Sequence, residues 1–366
     1  MRVVLSGGGT AGHINPALAL AEELSARGHE VLFAGTPEGL EARLVAQAGI
    51  PFTPFKASGF DREAPLTLVT STFKILASAL KAGSWFKKVK PDAVVGFGGY
   101  VSIPVGVATV KRRIPLVIHE QNSVMGMANK FLSEFARYVA VTYQVAGKDV
   151  DEASKVVLTG NPVRSSVLAV TRQEGRRMLG IPEDGVMLLA FGGSLGARHI
   201  NQALCALKQR LLEVDNLYVV HISGPREYDT VKADLDLSPA EAQRWILMPY
   251  QDRMAETLAA ADCVLSRAGA TSLAEISALG LPALLVPFPY ATEDHQTTNA
   301  QAYVASGAAE MIADANLDSP EFAQLLMTLV TSEQERERMR QAAASFETQN
   351  AAARLADLVI QAAEGK

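Results

Sequence analysis

Short continuous apolar runs alternate along the chain with glycine-rich turns and helical stretches. Val3–Leu5, Glu30–Ala34, Ala93–Val95, Leu116–Ile118, Val186–Ala190, Leu217–Ile222, Asp262–Ser266 and Pro282–Pro287 read as strands. Strands of a parallel sheet covered on both faces show this kind of run rather than strict alternation. At the start, the order is strand, glycine loop Gly7–Gly12, helix Pro16–Ala26, strand. The same order restarts at Val186–Ala190 with the loop Gly192–Gly196, the helix His199–Leu211 and the strand Leu217–Ile222. A third glycine loop, Gly96–Gly99, follows Ala93–Val95. Two restarts ~180 residues apart predict an α/β chain of two Rossmann-like domains with parallel sheets. The turn-like Gly160-Asn161-Pro162-Val163 sets the boundary, giving domains 1–162 and 163–345. The Ala-, Glu-, Arg- and Gln-rich tail is helical, and its last part, 346–366, is expected to pack back on the first domain.

Composition narrows the classes. The chain has 366 residues, enough for two cores, with 48% hydrophobic and 20% charged residues. A net charge of -5 with no long basic run sets nucleic acid aside as a partner. Cys205 and Cys263 form no CxxC pair and read as buried thiols of a reducing cytosol. The first apolar stretch is too short for a signal peptide, and no run reaches the ~18 apolar residues of a membrane span. The expectation is a soluble protein or one that only touches a membrane.

Gly7-Gly8-Gly9-Thr10-Ala11-Gly12 matches G-x-G-x-x-G, a loop whose backbone N–H groups can approach a phosphate at a helix start. A dinucleotide site also wants an acidic residue at the end of the second strand, to hold the ribose. That strand instead ends Phe33-Ala34-Gly35-Thr36, with Glu38 beyond a proline, which disfavours NAD. His13 follows the loop. It is either a polar residue at an exposed helix start or a base kept neutral by the positive helix end. His119-Glu120-Gln121-Asn122 follows a strand, where open α/β sheets bind ligands; a hydrogen-bonded turn is the other reading.

In the second half, Arg267–Ser272 turns from a strand into a helix. Ser272 and Glu275 have the spacing of a capping box. Alternatively, the Glu275 carboxylate could take both hydroxyls of a ribose, while amides at Ala270–Ser272 meet a base edge or a phosphate. The loop Pro289–Ala300 is dense in donors and acceptors, as a sugar lining must be.

Seven motifs stand in one order along nearly the whole chain: Gly7–His13, Gly98–Ser102, His119–Asn122, Gly160–Arg164, Gly192–Arg198, Arg267–Glu275 and Asp294–Ala300. Together they resemble the MurG family, the bacterial peptidoglycan N-acetylglucosaminyltransferases of glycosyltransferase family 28. The resemblance implies a GT-B fold, two Rossmann-like domains facing across a cleft. It implies inverting transfer of GlcNAc from UDP-GlcNAc to the C4 hydroxyl of undecaprenyl-pyrophosphate-linked MurNAc-pentapeptide, lipid I becoming lipid II. Such a protein would sit peripherally on the cytoplasmic face of the bacterial inner membrane. By the same resemblance Thr10, Ala11 and Gly12 border the donor sugar, Asn122 touches it, and Arg164 and Ser194 contact the diphosphate. Ala270, Thr271, Ser272, Leu273, Ala274 and Glu275 form the uridine site, with Glu275 on the ribose. Gln296 reads hydroxyls of the sugar ring. Gln251 meets the uracil through its main chain, and Tyr250 packs over the base.

Transfer needs a base for the acceptor proton, worth about 10²–10⁴ in rate. His13 is the first choice and Glu120 the second. The helix start after Gly192–Gly196 and the Arg164 guanidinium can stabilise departing UDP, so no cofactor and no required metal are expected. Asp234-Leu235-Asp236 and Asp149-Val150-Asp151 match a metal-binding D-x-D literally but lie outside the motifs. In Leu66–Lys90, the residues Val69, Phe73, Leu76 and Leu80 fall at helical spacing, with Trp85, Phe86 and five lysines nearby. A core helix with solvated lysines fits this pattern. So does a helix lying on an anionic bilayer through Phe73, Leu76, Leu80, Trp85 and Phe86, which the resemblance favours. The rival enzyme on the same plan is a UDP-GlcNAc 2-epimerase. A non-catalytic nucleotide-sugar-binding subunit is a further alternative.

Overall fold

The computed structural model describes residues 1–56, 65–193, 195–344 and 350–365. Two compact units divide the chain. The first runs from Met1 to Arg164 and takes in the C-terminal helix Ala351–Glu364; the second spans Ser165–Glu347.

Unit 1 carries seven parallel strands: β1 (Arg2–Ser6), β2 (Glu30–Gly35), β3 (Phe52–Pro54), β4 (Ala93–Gly96), β5 (Leu116–Glu120), β6 (Tyr138–Val141) and β7 (Val156–Leu158). Their order is β3-β2-β1-β4-β5-β6-β7. The order reverses between β1 and β4, where Ser6 lies beside Gly96. Both glycine loops of this unit therefore leave adjacent strand ends at the switch point, where open parallel sheets take ligands. The sheet is apolar on both faces. Val3 and Leu5 pack with Ile14, Leu18, Leu355 and Val359; Val4 and Val94 pack with Phe55, Phe86, Val105 and Leu132. Each such side chain, fully buried, stabilises by roughly 1.5–3 kcal/mol.

Unit 2 has six parallel strands: β8 (Val186–Phe191), β9 (Leu217–Ile222), β10 (Trp245–Met248), β11 (Cys263–Ser266), β12 (Ala283–Leu285) and β13 (Ala309–Met311). Their order is β10-β9-β8-β11-β12-β13. Here the reversal falls between β8 and β11, with Phe191 beside Ser266. The Gly192–Gly196 loop and the Arg267 turn thus share a switch point too.

Several boundaries differ from the sequence expectation. The first helix is Ala11–Ala26 and holds Pro16 inside it. The early start brings His13 into the first turn. The expected helix His199–Leu211 is two helices, Arg198–Ala206 and Lys208–Leu212. The polar loop Pro289–Ala300 becomes helical at His295, opening the helix His295–Ala305.

Candidate functional site

In unit 1 the first glycine loop encloses a carboxylate of the chain itself. Glu41 is fully buried and accepts from the Gly9 N–H at 3.2 Å, the Thr36 N–H at 2.9 Å and the Thr36 hydroxyl at 2.5 Å. A β-carbon on Gly8 would collide with that carboxylate, and one on Gly99 with the Gly8 backbone. Glycine is required here so that Glu41 and the second loop can close on the first. A carboxylate under the loop repels a second anion by about 3 kcal/mol at about 6 Å and an effective dielectric of ~20. This gives a physical reason against a dinucleotide phosphate at Gly7–Gly12. Glu41 escaped the sequence reading because its partners lie near residues 8 and 36; the paired glycines Gly8 and Gly39, both crowded by it, are the signal.

His13 sits at the third position of the Ala11–Ala26 helix. Its Nδ1 lies 3.0 Å from the Gly8 carbonyl and 3.2 Å from the Thr10 hydroxyl. A carbonyl only accepts, so Nδ1 donates, and in the neutral ring the lone pair falls on Nε2. That is the tautomer a general base needs. Thr10 is exposed, and Ala11 and Gly12 are half-buried beside it.

Glu120 does not suit its proposed catalytic role. It is 2% exposed. One carboxylate oxygen takes the Asn122 N–H at 3.0 Å and its side-chain amide at 3.4 Å; the other takes the Gly126 N–H at 3.0 Å and the Asn129 amide at 2.8 Å. With four donors on it, Glu120 has no free lone pair for an acceptor hydroxyl. It fixes the turn that presents Asn122 and starts the helix Met127–Ser133. His119 is buried between the Gly160 carbonyl and the Gln121 amide, and burial holds it near 4, hence neutral. Arg164 pairs with Glu22 at 2.9 Å through Nε.

In unit 2 the Ala270–Ala278 helix is capped by Gly269, with no side-chain cap. Ser272 and Glu275 therefore stand at the third and sixth positions, and the capping-box reading is corrected. The Thr271 hydroxyl is buried and has no hydrogen-bond partner among the described residues. Glu275 is half-buried, and its carboxyl makes no hydrogen bond among the described residues. Burial pushes it up to about 7. A desolvated acceptor near a helix start, with nothing on it, suits two incoming hydroxyl donors. Leu273 and Ala274 are buried and seat this helix on the core.

Gln296 joins two strand ends. Its amide oxygen accepts from Ala268 N at 3.1 Å and Phe288 N at 2.9 Å. Both lone pairs are taken, so it can meet a sugar only as a donor. The Gln251 side chain is turned onto its own loop, accepting from Arg253 N at 2.9 Å, which leaves its main chain for a ligand. Tyr250 is 48% exposed beside it. Ser194 lies outside the described residues. Of the D-x-D matches, Leu235 is core and Asp236 ends a helix, while Asp149 pairs with Lys130.

The expected membrane helix is Pro65–Val89. Leu76 is 51% and Leu80 69% exposed. Phe86 is corrected: it is buried and packs with Trp85 against the core that holds Phe55. Trp85 is half-buried on Phe55. The Phe73 side chain lies outside the described residues. Sequence reasoning missed a second apolar stripe, Met127, Phe131 and Phe135, each 43–58% exposed. Its four-residue spacing was the available signal. Among the described residues, no helix is long and apolar enough to cross a membrane.

Comparison with known proteins agrees with this arrangement. Residues 3–141 match the glycosyltransferase family 28 N-terminal domain and residues 187–355 its C-terminal domain. A curated protein of Halothermothrix orenii is 40% identical over 93% of both chains. It is named UDP-N-acetylglucosamine–N-acetylmuramyl-(pentapeptide) pyrophosphoryl-undecaprenol N-acetylglucosamine transferase. The crystal structure of Acinetobacter baumannii MurG is 30% identical, with TM-score 0.73, over 98% of this chain and 99% of that one. A UDP-GlcNAc 2-epimerase of Neisseria meningitidis covers all of both chains at TM-score 0.70 and 14% identity, a likeness of fold alone.

Proposed function

This chain belongs to glycosyltransferase family 28, and on that premise we propose that it transfers N-acetylglucosamine from UDP-GlcNAc to the C4 hydroxyl of muramyl-pentapeptide carried on pyrophosphoryl-undecaprenol. The observation that carries the donor assignment is the Glu275 carboxyl, desolvated and unpartnered near the open start of the Ala270–Ala278 helix. It accepts the ribose hydroxyls, while first-turn amides, which have no intrahelical partner, face the uracil or a phosphate. Gln296 donates to the sugar ring.

Unit 1 supplies the base. His13 Nε2 takes the proton as the acceptor oxygen bonds to the anomeric carbon. The bond from that carbon to the diphosphate breaks, UDP leaves with the electron pair, and the anomeric centre inverts. The Arg198–Ala206 helix start and Arg164 offset the charge that grows on the leaving diphosphate. The test is transfer of labelled GlcNAc to a lipid-linked muramyl-pentapeptide analogue. No transfer, with UDP-ManNAc appearing from UDP-GlcNAc alone, would reverse the reading in favour of the epimerase.

The reading sets the enzyme peripherally on the cytoplasmic face of the bacterial inner membrane. Leu76 and Leu80 with exposed Lys81, Lys87 and Lys88 support contact with an anionic bilayer, as does the Met127–Phe135 stripe beside exposed Lys130.

A further inference from the structure

We propose that Asp314 is a positioning residue that holds the three donor-site segments of unit 2 in mutual alignment, and that His199 makes this grip depend on protonation. The inference rests on the donor reading above.

Asp314 follows β13 and is largely buried. One carboxylate oxygen pairs with the Arg267 guanidinium at 2.5 Å, and the other meets His199 Nδ1 at 2.9 Å. Arg267 is the first residue past β11, at the mouth of the uridine helix. It also donates to the carbonyls of Val286 at 3.3 Å and Pro287 at 3.1 Å, and lies over the Phe288 ring. Those residues follow β12 and lead into the sugar-reading segment. His199 is the second residue of the Arg198–Ala206 helix, which follows the Gly192–Gly196 loop. One carboxylate thus reaches the diphosphate helix, the uridine turn and the sugar loop. A misplacement of about 1 Å at such a distance from the chemistry costs up to ~10²-fold.

The charged groups facing His199 are Asp314 and Asp318, the latter 3.3 Å from Nε2. Arg267 lies across Asp314, and the neighbouring Arg198 is directed to Glu227 at 3.9 Å. The hydrogen bond to Asp314 raises the His199 imidazolium above its ordinary 6.5, with burial opposing and Asp318 assisting. Burial pushes Asp314 up, but His199 and Arg267 outweigh it and hold it below its ordinary value. Both charges are present at mildly acidic pH, and the imidazolium is lost as pH rises through its raised value. The grip therefore loosens on the alkaline side.

The test is calorimetric titration of the full chain with UDP-GlcNAc, whose diphosphate keeps one charge state across the range used. From about pH 6 to about pH 8.5 the ratio of wild-type to His199→Gln affinity should fall from about five to about one; the titration of Glu275, present in both proteins, cancels from that ratio. Asp314→Asn should bind about tenfold more weakly than the wild type at the acidic end, and its ratio to His199→Gln should not change with pH. In turnover, the same variants should raise donor KM and leave kcat at saturating donor close to wild type. A wild-type slope retained in His199→Gln overturns the proposal, as does wild-type affinity in a folded Asp314→Asn. If Asp314→Asn does not fold, His199→Gln decides. Absence of UDP-GlcNAc binding by the wild type would overturn the donor reading and this inference with it.

Discussion

The two switch-point glycine loops are built from the same strand–loop–helix unit, yet they present opposite chemistry. Under the unit 1 loop lies the Glu41 carboxylate, which takes the Gly9 N–H for itself. In unit 2 the glycines are crowded by backbone: Gly192 by Ala197, and Gly196 by Ser223 and Gly224. The helix there opens with Arg198, 74% exposed. In the proposed function the first loop holds the base His13, and the second faces the leaving diphosphate. A glycine pattern sets how closely groups can approach; the charge behind the loop decides which group is welcome.

The sharpest way to break this contrast is at His13. His13→Ala should lower single-turnover transfer by about 10²–10⁴ while donor affinity holds; equal turnover would remove it as base. Next, Glu275→Ala should weaken UDP-GlcNAc binding by about 1.5–3 kcal/mol in calorimetry. The apoprotein carries a signature of the same group. Because the folded Glu275 sits near 7 against 4.5 ordinarily, stability is full below about 4.5 and falls as pH rises towards 7. Glu275→Gln should flatten that part of a melting-temperature profile. In the other loop, Glu41→Gln should cost about 1–3 kcal/mol in denaturant unfolding, since an amide nitrogen would then face N–H donors. It should leave UDP-GlcNAc affinity unchanged. The smallest effect concerns the apolar surface of unit 1. Leu76→Ser with Leu80→Ser should weaken binding to anionic vesicles by about 1–3 kcal/mol without lowering stability. Phe86→Ser should do the reverse.

Eight strands were legible because runs such as Val186–Ala190 are apolar at every position, as strands covered on both faces must be; the edge strands β3, β7, β10 and β13, and β6, were not. Strand order was not, because the neighbours β1 and β4 are joined by some of the longest connecting chain in the unit. At Glu275 the residues were legible and the role was not. Whether Ser272 caps the helix depends on where it starts, and Gly269, not Ser272, proved to be the cap. Trp85 and Phe86 share one apolar patch in sequence, and only the fold distinguishes them, burying Phe86 in the core and leaving Trp85 half-buried on Phe55. Glu120 looked reactive as a lone carboxylate in a polar cluster; the donors that saturate it include Gly126 and Asn129, beyond that cluster.

The Ala351–Glu364 helix lends Leu355, Leu358 and Val359 to the core that also holds Val3 and Leu5. A ribosome emits those residues after all of unit 2. Unit 2 can thus finish folding on the nascent chain while the half carrying His13 still waits for its last wall. Truncating the chain before residue 351 should accordingly damage unit 1, the half farther away in sequence, and spare the half beside the cut.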